Sequence, residues 1–583
     1  MIWHAAAAAG AAGAWLRWSF GWWLPLGLGA VAARRRSPVV ALVAVLALTG
    51  WLGERAEQGL DPPPAAKVDA WVTLTGDPRA SGPVGVRASA RWGSHRVSLS
   101  AHGPVAGRLD DALAGEQVHV VGSFRPARGD SWTRWRHEVG TITVTEVRGH
   151  VVGSPLTDGA NAIRRLLQGG AASLDRDDRA VFAGMVVGDD REQSAVVADD
   201  FRAAGLGHLL VVSGQNVAFV LALLEPLLRR CRPGTRLGAV VVALIAFVTL
   251  TRFEASVLRA AVMAGASVGA AVFGGPVDGR RGLSMSILVL VIVDPFLVRV
   301  LAFQLSVAAT GGIVWGSAPL AARLPGPQLF RIAVATTVAA QLAVAPLLIA
   351  TFGPIPLAGL PANLLAGPAS GPIMVWGCTG GLVAGVVGGG VAALIHTPTD
   401  LLVGWVRGVA AASARAPAYG VGWLAWAAFT TAIVVATAAR GPASRFLAGG
   451  AVAVGLVVSV ATVPTLASGW SDLGRGVSVH HGHQAVVVVL DGPGWPRDVL
   501  EVLRDHDVRS VAVVVATDGD RADADAVVAL RERFVGVTIL APPMHRVPGA
   551  RSVHDGVRVT IGALVVELVD DAGSVGLAVG PAG

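Results

Sequence analysis

Apolar runs too long for a soluble core are the feature that most restricts this chain. From residue 207 onward they recur at about 207–228, 237–251, 255–273, 283–298, 300–320, 331–351, 355–378 and 380–396, then at about 420–438 and 446–463. A helix needs about 20 mostly apolar residues to cross a hydrocarbon layer roughly 30 Å thick, whereas a soluble helix needs only an apolar stripe. Hydrophobic residues make up 53% of the chain and charged residues 15%, with mean hydropathy +0.59; soluble domains carry about a quarter charged residues. The chain therefore reads as a polytopic α-helical membrane protein. Gly and Pro inside several runs imply broken helices, which are tolerated at membrane depth only where protein or a water-filled cavity covers the freed backbone. The more polar stretch 400–418 reads as a helix lying flat in the interface.

Arginine placement sets the expected topology. Lys67 is the only lysine, so the net charge of +7 rests on arginine. Basic residues of short loops collect on the cytoplasmic side. Two short spans, 19–33 and 38–53, flank Arg34, Arg35 and Arg36, so residues 1–60 read as a membrane hairpin turning in the cytoplasm and not as a cleavable leader. The polar region that begins at Asp61 then lies outside. Alternating the spans places Arg229, Arg230, Arg232 and Arg236 in one cytoplasmic loop, and Arg280 and Arg281 in another. Arg323 and Arg331 border a third, Arg440 and Arg445 a fourth, and the tail after Pro464 is left outside. Basic charge of this kind also suits anionic lipid or nucleic acid. Cys231 lies in an arginine-rich loop and Cys378 in an apolar run, so neither a disulfide between them nor a cysteine metal motif is expected.

Two regions break the apolar pattern. Residues 61–157 carry VDAWVTLTG (68–76), GEQVHVVGSF (115–124) and GTITVTEVRG (140–149), period-two alternation between turn residues. That pattern predicts a small β-barrel or sandwich whose length suits a five-stranded OB-type barrel. Its segment 125–137, RPARGDSWTRWRH, interleaves Arg125, Arg128, Arg134 and Arg136 with Trp132 and Trp135. Guanidiniums on phosphates and bases stacked on aromatics, about 1–3 kcal/mol per base, are how single strands are gripped. Tryptophans anchored at the membrane interface account for the same residues. Residues 160–204 read as helices near the membrane surface, and 158–464 as one helical core with its later spans. The tail, 475–583, alternates strands at 485–492 and 510–519 with helices at 496–507 and 522–534, which predicts an α/β layer.

Within the core, four polar-punctuated stretches resemble the competence domain of the ComEC family, the membrane channels of bacterial DNA uptake. In GLGHLLVVSGQNVAF (205–219), Ser213 and Gly214 match the family pattern, while Gln215 and Asn216 stand where it has Leu and His. FEASVLRAAVMA (253–264) brings Ser256, Arg259 and Ala260. DPFLVRVLAFQLSVAATGG (294–312) resembles the family's Asp-Pro and Phe-Gln-Leu-Ser, and 340–368 its Gln, Pro, Phe-Gly and Asn-Leu pattern. The order of domains matches as well. The resemblance implies an extracytoplasmic OB-like β domain, a transmembrane channel core and a C-terminal α/β metallo-β-lactamase-like domain.

It also implies single-stranded DNA and membrane lipid as partners, with a DNA receptor and a separate nuclease acting alongside. His208, Ser213, Gln215, Asn216, Arg259, Gln304, Gln341 and Asn363 are the candidate channel-lining groups, polar residues in otherwise apolar runs that would cost free energy against lipid. Interhelical hydrogen bonds, about 0.6 kcal/mol each, would account for the same residues. Arg259 needs a partner, for which Glu254 and Asp294 are candidates.

The tail departs from the family. Where nuclease-competent members have Thr-His-x-Asp-x-Asp-His, this chain reads TDGDRAD (517–523), keeping Thr517 and Asp520 and losing both histidines. Two metals need imidazoles and carboxylates converging on one loop, so a pseudo-nuclease is expected. His480, His481 and His483 form a short cluster able to bind a transition metal adventitiously, but the adjacent His480 and His481 would point to opposite faces of a strand and not readily share one ion. No nucleotide loop and no cofactor is implied. A membrane-anchored hydrolase with a divergent site and a small-solute transporter are the alternative classes.

Overall fold

The structure, a computed structural model, describes residues 2–581 apart from 18–22, 82–84, 128–135, 276–277, 417–418, 439–441, 462–468, 482–485, 494, 518, 535, 543–546, 553–557, 562–563 and 572–573. Three helices open the chain, not the two expected: α1 (Ile2–Leu16), α2 (Trp23–Arg35) and α3 (Pro38–Gln58). The alanine-rich first segment forms a helix because its small residues let it lie directly against α3, burying Ala6, Ala7, Gly10, Gly13 and Ala14. A Cβ on Gly13 would fall on the Leu46 carbonyl oxygen and Thr49 Oγ1. Arg17 pairs with Glu57 at the far end of α3.

The first soluble unit holds β1 (Ala66–Leu74), β2 (Arg79–Ala80), β3 (Gly85–Trp92), β4 (His95–His102), the short α4 (Pro104–Asp110), β5 (Gln117–Pro126) and β6 (Glu138–Val151). Strands β3 and β4 were not among the expected strands. Pairing runs β1–β5–β6–β4–β3, and β3 pairs again with β1 through Thr73↔Arg91 and Leu74↔Ala90, so the order returns to its first strand. Every pair in that circuit is antiparallel except β4–β6, which is parallel. Alternate side chains, among them Val72, Leu74, Ala90, Leu99, Val120, Phe124 and Ile142, form the core.

Helices α5 (Pro155–Gly170), α6 (Arg176–Val187) and α7 (Ala195–Ala203) fill the predicted surface region. The core then continues as α8 (Gly214–Leu228), α9 (Pro233–Leu250), α10 (Ala255–Val272), α11 (Gly279–Val293), α12 (Leu301–Ala321) and α13 (Gln328–Phe352). After a two-residue strand, β7 (Ile355–Pro356), come α14 (Gly359–Trp376), a π turn (Gly377–Gly381), α15 (Leu382–Val387) and α16 (Gly389–Ala414). β8 (Gly420–Val421) pairs with β7 ahead of α17 (Trp423–Ala438) and α18 (Pro442–Ala461).

Among the described residues six helical stretches are long and apolar enough to cross a membrane: Pro38–Gln58, Pro233–Leu250, Ala255–Val272, Leu301–Ala321, Gln328–Phe352 and Gly359–Val387. The Leu301–Ala321 helix is half-buried along most of its length, with Phe303 its fully buried residue.

The expected break near 378–380 lies instead at Gly388 and Gly389, where φ of +67° and +57° opens a turn suited to glycine. The stretch 400–418 is thus mostly the second half of α16. Trp405 Nε1 donates to the Leu365 carbonyl at 3.0 Å and Trp376 Nε1 to that of Ile395 at 2.9 Å, closing a helical hairpin. Its closed end meets α5, where a Cβ on Gly385 would fall on the Leu166 carbonyl oxygen, and Gly359 at its open end meets Gly205. Both ends thus pack against the segment that carries α5 and α7, and Gly359–Val387 is long enough to cross a membrane.

The tail sheet holds β9 (Gly469–Asp472), β10 (Val477–His481), β11 (Val486–Leu490), β12 (Val513–Ala516), β13 (Thr538–Ala541) and β14 (Arg551–Ser552) in the order β14-β13-β12-β11-β10-β9. Strands β11 to β14 are parallel, with α19 (Pro496–Asp505) and α20 (Arg521–Arg533) as crossovers, and β9–β10–β11 are antiparallel. A separate antiparallel three-stranded sheet lies within 558–581.

Ion pairs fix both soluble units to the helical body. His137 Nε2 lies 3.1 Å from Asp294 after α11, and Arg252 after α9 bonds Asp77 in the β1–β2 turn. In the tail, Arg504 pairs with Asp199 and Arg533 with Asp200 on α7, and Arg509 Nη1 donates to the Arg415 carbonyl at 3.3 Å. The strand unit therefore contacts the ends of α9 and α11 opposite the Arg229–Arg236 and Arg280–Arg281 loops, and the tail contacts α7 and the end of α16.

Candidate functional site

The polar residues of the core fall into separate groups. The tightest forms where α8 begins beside α10 and α12. Ser213 holds the N-cap position of α8 in extended backbone, φ −107° and ψ 165°, yet its hydroxyl caps nothing; it donates to Asn216 Oδ1 at 3.4 Å. Asn216, 8% exposed, donates through Nδ2 to the Met185 carbonyl at 2.8 Å and so ties α8 to α6. Ser256 at the start of α10 donates to the Val212 carbonyl at 3.1 Å.

Arg259, one turn further along α10, is 6% exposed. Its Nε donates to Ser306 Oγ on α12 at 2.8 Å and its Nη1 reaches Met263 Sδ at 3.5 Å. Neither expected carboxylate pairs with it: Asp294 faces His137 and caps Phe296 N, and Glu254 is the backbone N-cap of α10. Among the described residues no acid lies within ion-pair distance of Arg259. An arginine at the centre of a spanning helix costs about 2.5–3.5 kcal/mol on insertion scales; Arg259, one turn from the start of α10, is buried without an acid and so still carries an unneutralised charge.

The other expected residues are more dispersed. Gln304, on the same helix as Ser306, donates to the Val298 carbonyl at 2.7 Å. Asn363 donates to the Gly359 carbonyl at 2.8 Å, and Gln341 Nε2 lies 3.8 Å from where a Cβ on Gly359 would sit, so these two flank the open end of the hairpin. His208 and Gln215 are exposed. Of the expected DNA-contacting residues, Arg125 at the end of β5 and Arg136 before β6 are exposed, and Arg136 lies 3.8 Å from Glu138. Arg128, Trp132, Arg134 and Trp135 lie outside the described residues.

A buried charge cluster beside this site was not anticipated. Arg164 on α5, its side chain 1% exposed, lies 3.0 Å from Asp77 and 3.2 Å from Asp189, and donates to the Val187 and Leu250 carbonyls. Arg191 grips Asp189 at 2.7 Å, and Arg252 reaches both Asp77 at 2.9 Å and Asn161 Oδ1 at 2.7 Å. Burial alone would raise the Asp189 carboxyl, but hydrogen bonds from Arg191 and the charge of Arg164 hold it at about 2. Asp77 is likewise buried and yet lowered, by Arg164 and Arg252. Arg252 and Phe253 both sit at φ +58°, a left-handed conformation that costs energy in non-glycine residues and persists here because the Arg252 side chain is pinned at both ends. The cluster locks the strand unit onto α5, the end of α6 and the α9–α10 turn. One signal was available: Ala160, Arg164, Leu167 and Ala171 share one helical face, which places an arginine in an apolar stripe.

In the tail, the TDGDRAD loop uses its polar groups locally. Thr517 Oγ1 donates to the Leu490 carbonyl at 2.9 Å, Asp520 caps α20 by accepting from Asp523 N at 3.0 Å, and Asp523 accepts from Gly519 N at 2.7 Å. Asp518 and His483 lie outside the described residues. His480 stands on β10 edge-on to Trp470, ring centres 5.1 Å apart.

Comparison with known proteins places the core. A family model described as Competence protein matches residues 185–443. Over 236 residues the chain is 24% identical to ComE operon protein 3 of Bacillus subtilis (strain 168), a stretch that covers 40% of this chain and 30% of that protein. No solved structure matches the chain. The similarity to competence proteins stands at the level of the family, and with the six candidate spans it makes this a polytopic bacterial membrane protein.

Proposed function

We propose that the chain is a channel for uptake of single-stranded DNA that performs no cleavage itself. One observation carries the reading. The stretch similar to competence proteins, 185–443, contains Arg259, a buried cation without an acid at the junction of α8, α10 and α12. A polyanion passing that junction supplies the missing negative charge. Ser213, Asn216 and Ser306 line the same junction, and Gln304, Gln341, Asn363, His208 and Gln215 extend the polar set along the core.

The circular strand order of residues 66–151, with one parallel pair, supports an OB-like unit that meets the strand first, with Arg125 and Arg136 on its surface. The mixed sheet of the tail suits a metallo-β-lactamase-like unit. Its Asp520 and Asp523 serve the backbone of their own loop, which supports a pseudo-nuclease over a membrane-anchored hydrolase. Both soluble units would face outward, a receptor would deliver DNA, and a separate nuclease would remove the second strand.

The test uses the full-length protein in liposomes carrying a potential, with fluorescent single- and double-stranded oligonucleotides outside and Mn²⁺ present. Protein-dependent entry of intact single strands is expected. No entry above empty liposomes sinks the channel, and metal-dependent shortening of the oligonucleotide restores the hydrolase.

A further inference from the structure

Two sources of positive potential converge at one point in the core. Helix α8 is 15 residues long and begins at Gly214 with no side-chain cap. Of its first-turn N–H groups, that of Asn216 donates to the Ser213 carbonyl at 3.1 Å, whereas those of Gly214 and Gln215 lack the acceptor a capping Ser normally provides and carry the positive end of the helix dipole. The Arg259 guanidinium sits against this end: Nη2 lies 2.9 Å from where a Cβ on Gly214 would be. Nη2 donates to nothing among the described residues, since the bonds of Arg259 run from Nε and Nη1. A Cβ on Gly214 would press on the guanidinium and lie 3.0 Å from Ala260 Cβ, so the bare glycine backbone is what lets Arg259 approach this closely. Ser213, Ser256 and Ser306 ring the point with small hydroxyls, and Ser256 and Ser306 are themselves bonded to Val212 and Arg259.

We infer that the N-terminus of α8 and Nη2 of Arg259 form a binding site for one phosphodiester anion. Helix N-termini accept phosphate because backbone N–H groups and dipole act together. A guanidinium beside one supplies the countercharge and a directed hydrogen bond. The phosphodiester belongs either to a passing DNA strand or to a phospholipid headgroup. The first assignment rests on the channel reading; the site itself does not.

The experiment uses full-length protein in nanodiscs of phosphatidylcholine. Amide hydrogen exchange at Gly214 and Gln215 is measured in inorganic phosphate against chloride of equal ionic strength, a comparison that needs no variant. Slower exchange in phosphate is expected, and equal exchange overturns the site.

Affinity for a fluorescent oligothymidylate is then compared with that for the same oligomer carrying neutral methylphosphonate linkages. Arg259→Gln is expected to weaken binding of the charged oligomer about tenfold or more, the loss of one charge-assisted hydrogen bond, and to leave the neutral one unchanged. Arg229→Gln, which removes an exposed arginine from the Arg229–Arg236 loop, should change either by less than about twofold. A folded Arg259→Gln protein that binds the charged oligomer like the wild type overturns the proposal. Protection of the amides by phosphatidylglycerol nanodiscs but not by the oligomer keeps the anion site and assigns it to lipid, and the channel reading then falls.

Discussion

Removing one charge from the buried cluster should release the strand unit from the membrane core. Asp77→Asn preserves shape and hydrogen-bonding size while leaving three guanidiniums, Arg164, Arg191 and Arg252, around the single carboxylate of Asp189. Arg164 keeps Asp189 at 3.2 Å, but Arg252 retains only the neutral Asn161. Breaking a buried pair by removing one partner costs about 3–5 kcal/mol, because the other charge stays desolvated. With Asp189 still present the lower figure applies, about 3 kcal/mol, or roughly a hundredfold in the equilibrium for local opening.

Hydrogen exchange on the solubilised full-length protein reads this directly. Peptides covering 70–80, 158–168 and 248–256 should exchange about a hundredfold faster, while the tail is unaffected. Adding Arg252→Gln should recover part of the loss, since it removes the stranded cation and with it the reason for the left-handed turn. Wild-type exchange rates in Asp77→Asn would refute the latch.

Acid should open the same latch. The Asp189 carboxyl is held at about 2 against an ordinary 3.8, so its folded value lies below its unfolded one. Its stabilisation is complete above about pH 4 and fades as pH falls toward about 2, a loss on the order of 2.5 kcal/mol. Burial raises Asp199 and Asp200 at the tail contact despite Arg504 and Arg533, so those groups carry the opposite sign and favour the docked state in acid. Pepsin, active at low pH, should therefore cut near residue 77 before it cuts the tail; the reverse order contradicts both assignments. Gly13→Val should drive α1 off α3, because the new side chain meets the Leu46 carbonyl and Thr49. Overpacking of this kind costs about 1–3 kcal/mol, and an unchanged melting temperature in detergent would rule the contact out.

Membrane residence was decided by the sequence alone, because runs of apolar residues have no other solvent; the arginine loops set only an expected topology. Period-two alternation likewise identified β1, β5 and β6, and the strand–helix alternation of the tail identified β11, α19, β12 and α20. Sequence could not place α1, whose alanines and glycines act only through a neighbour close enough to need them, nor the hairpin turn at Gly388, which depends on a backbone angle. It singled out Arg259 by its cost in an apolar run but proposed acids as partners, whereas folding sends Asp294 to His137 and brings Ser306 and the start of α8 to the guanidinium. The Asp77–Arg164–Asp189–Arg252 cluster joins residues up to 175 positions apart. No local pattern encodes such a meeting; only the closing of the strand unit onto the helices removes the water that makes those charges matter.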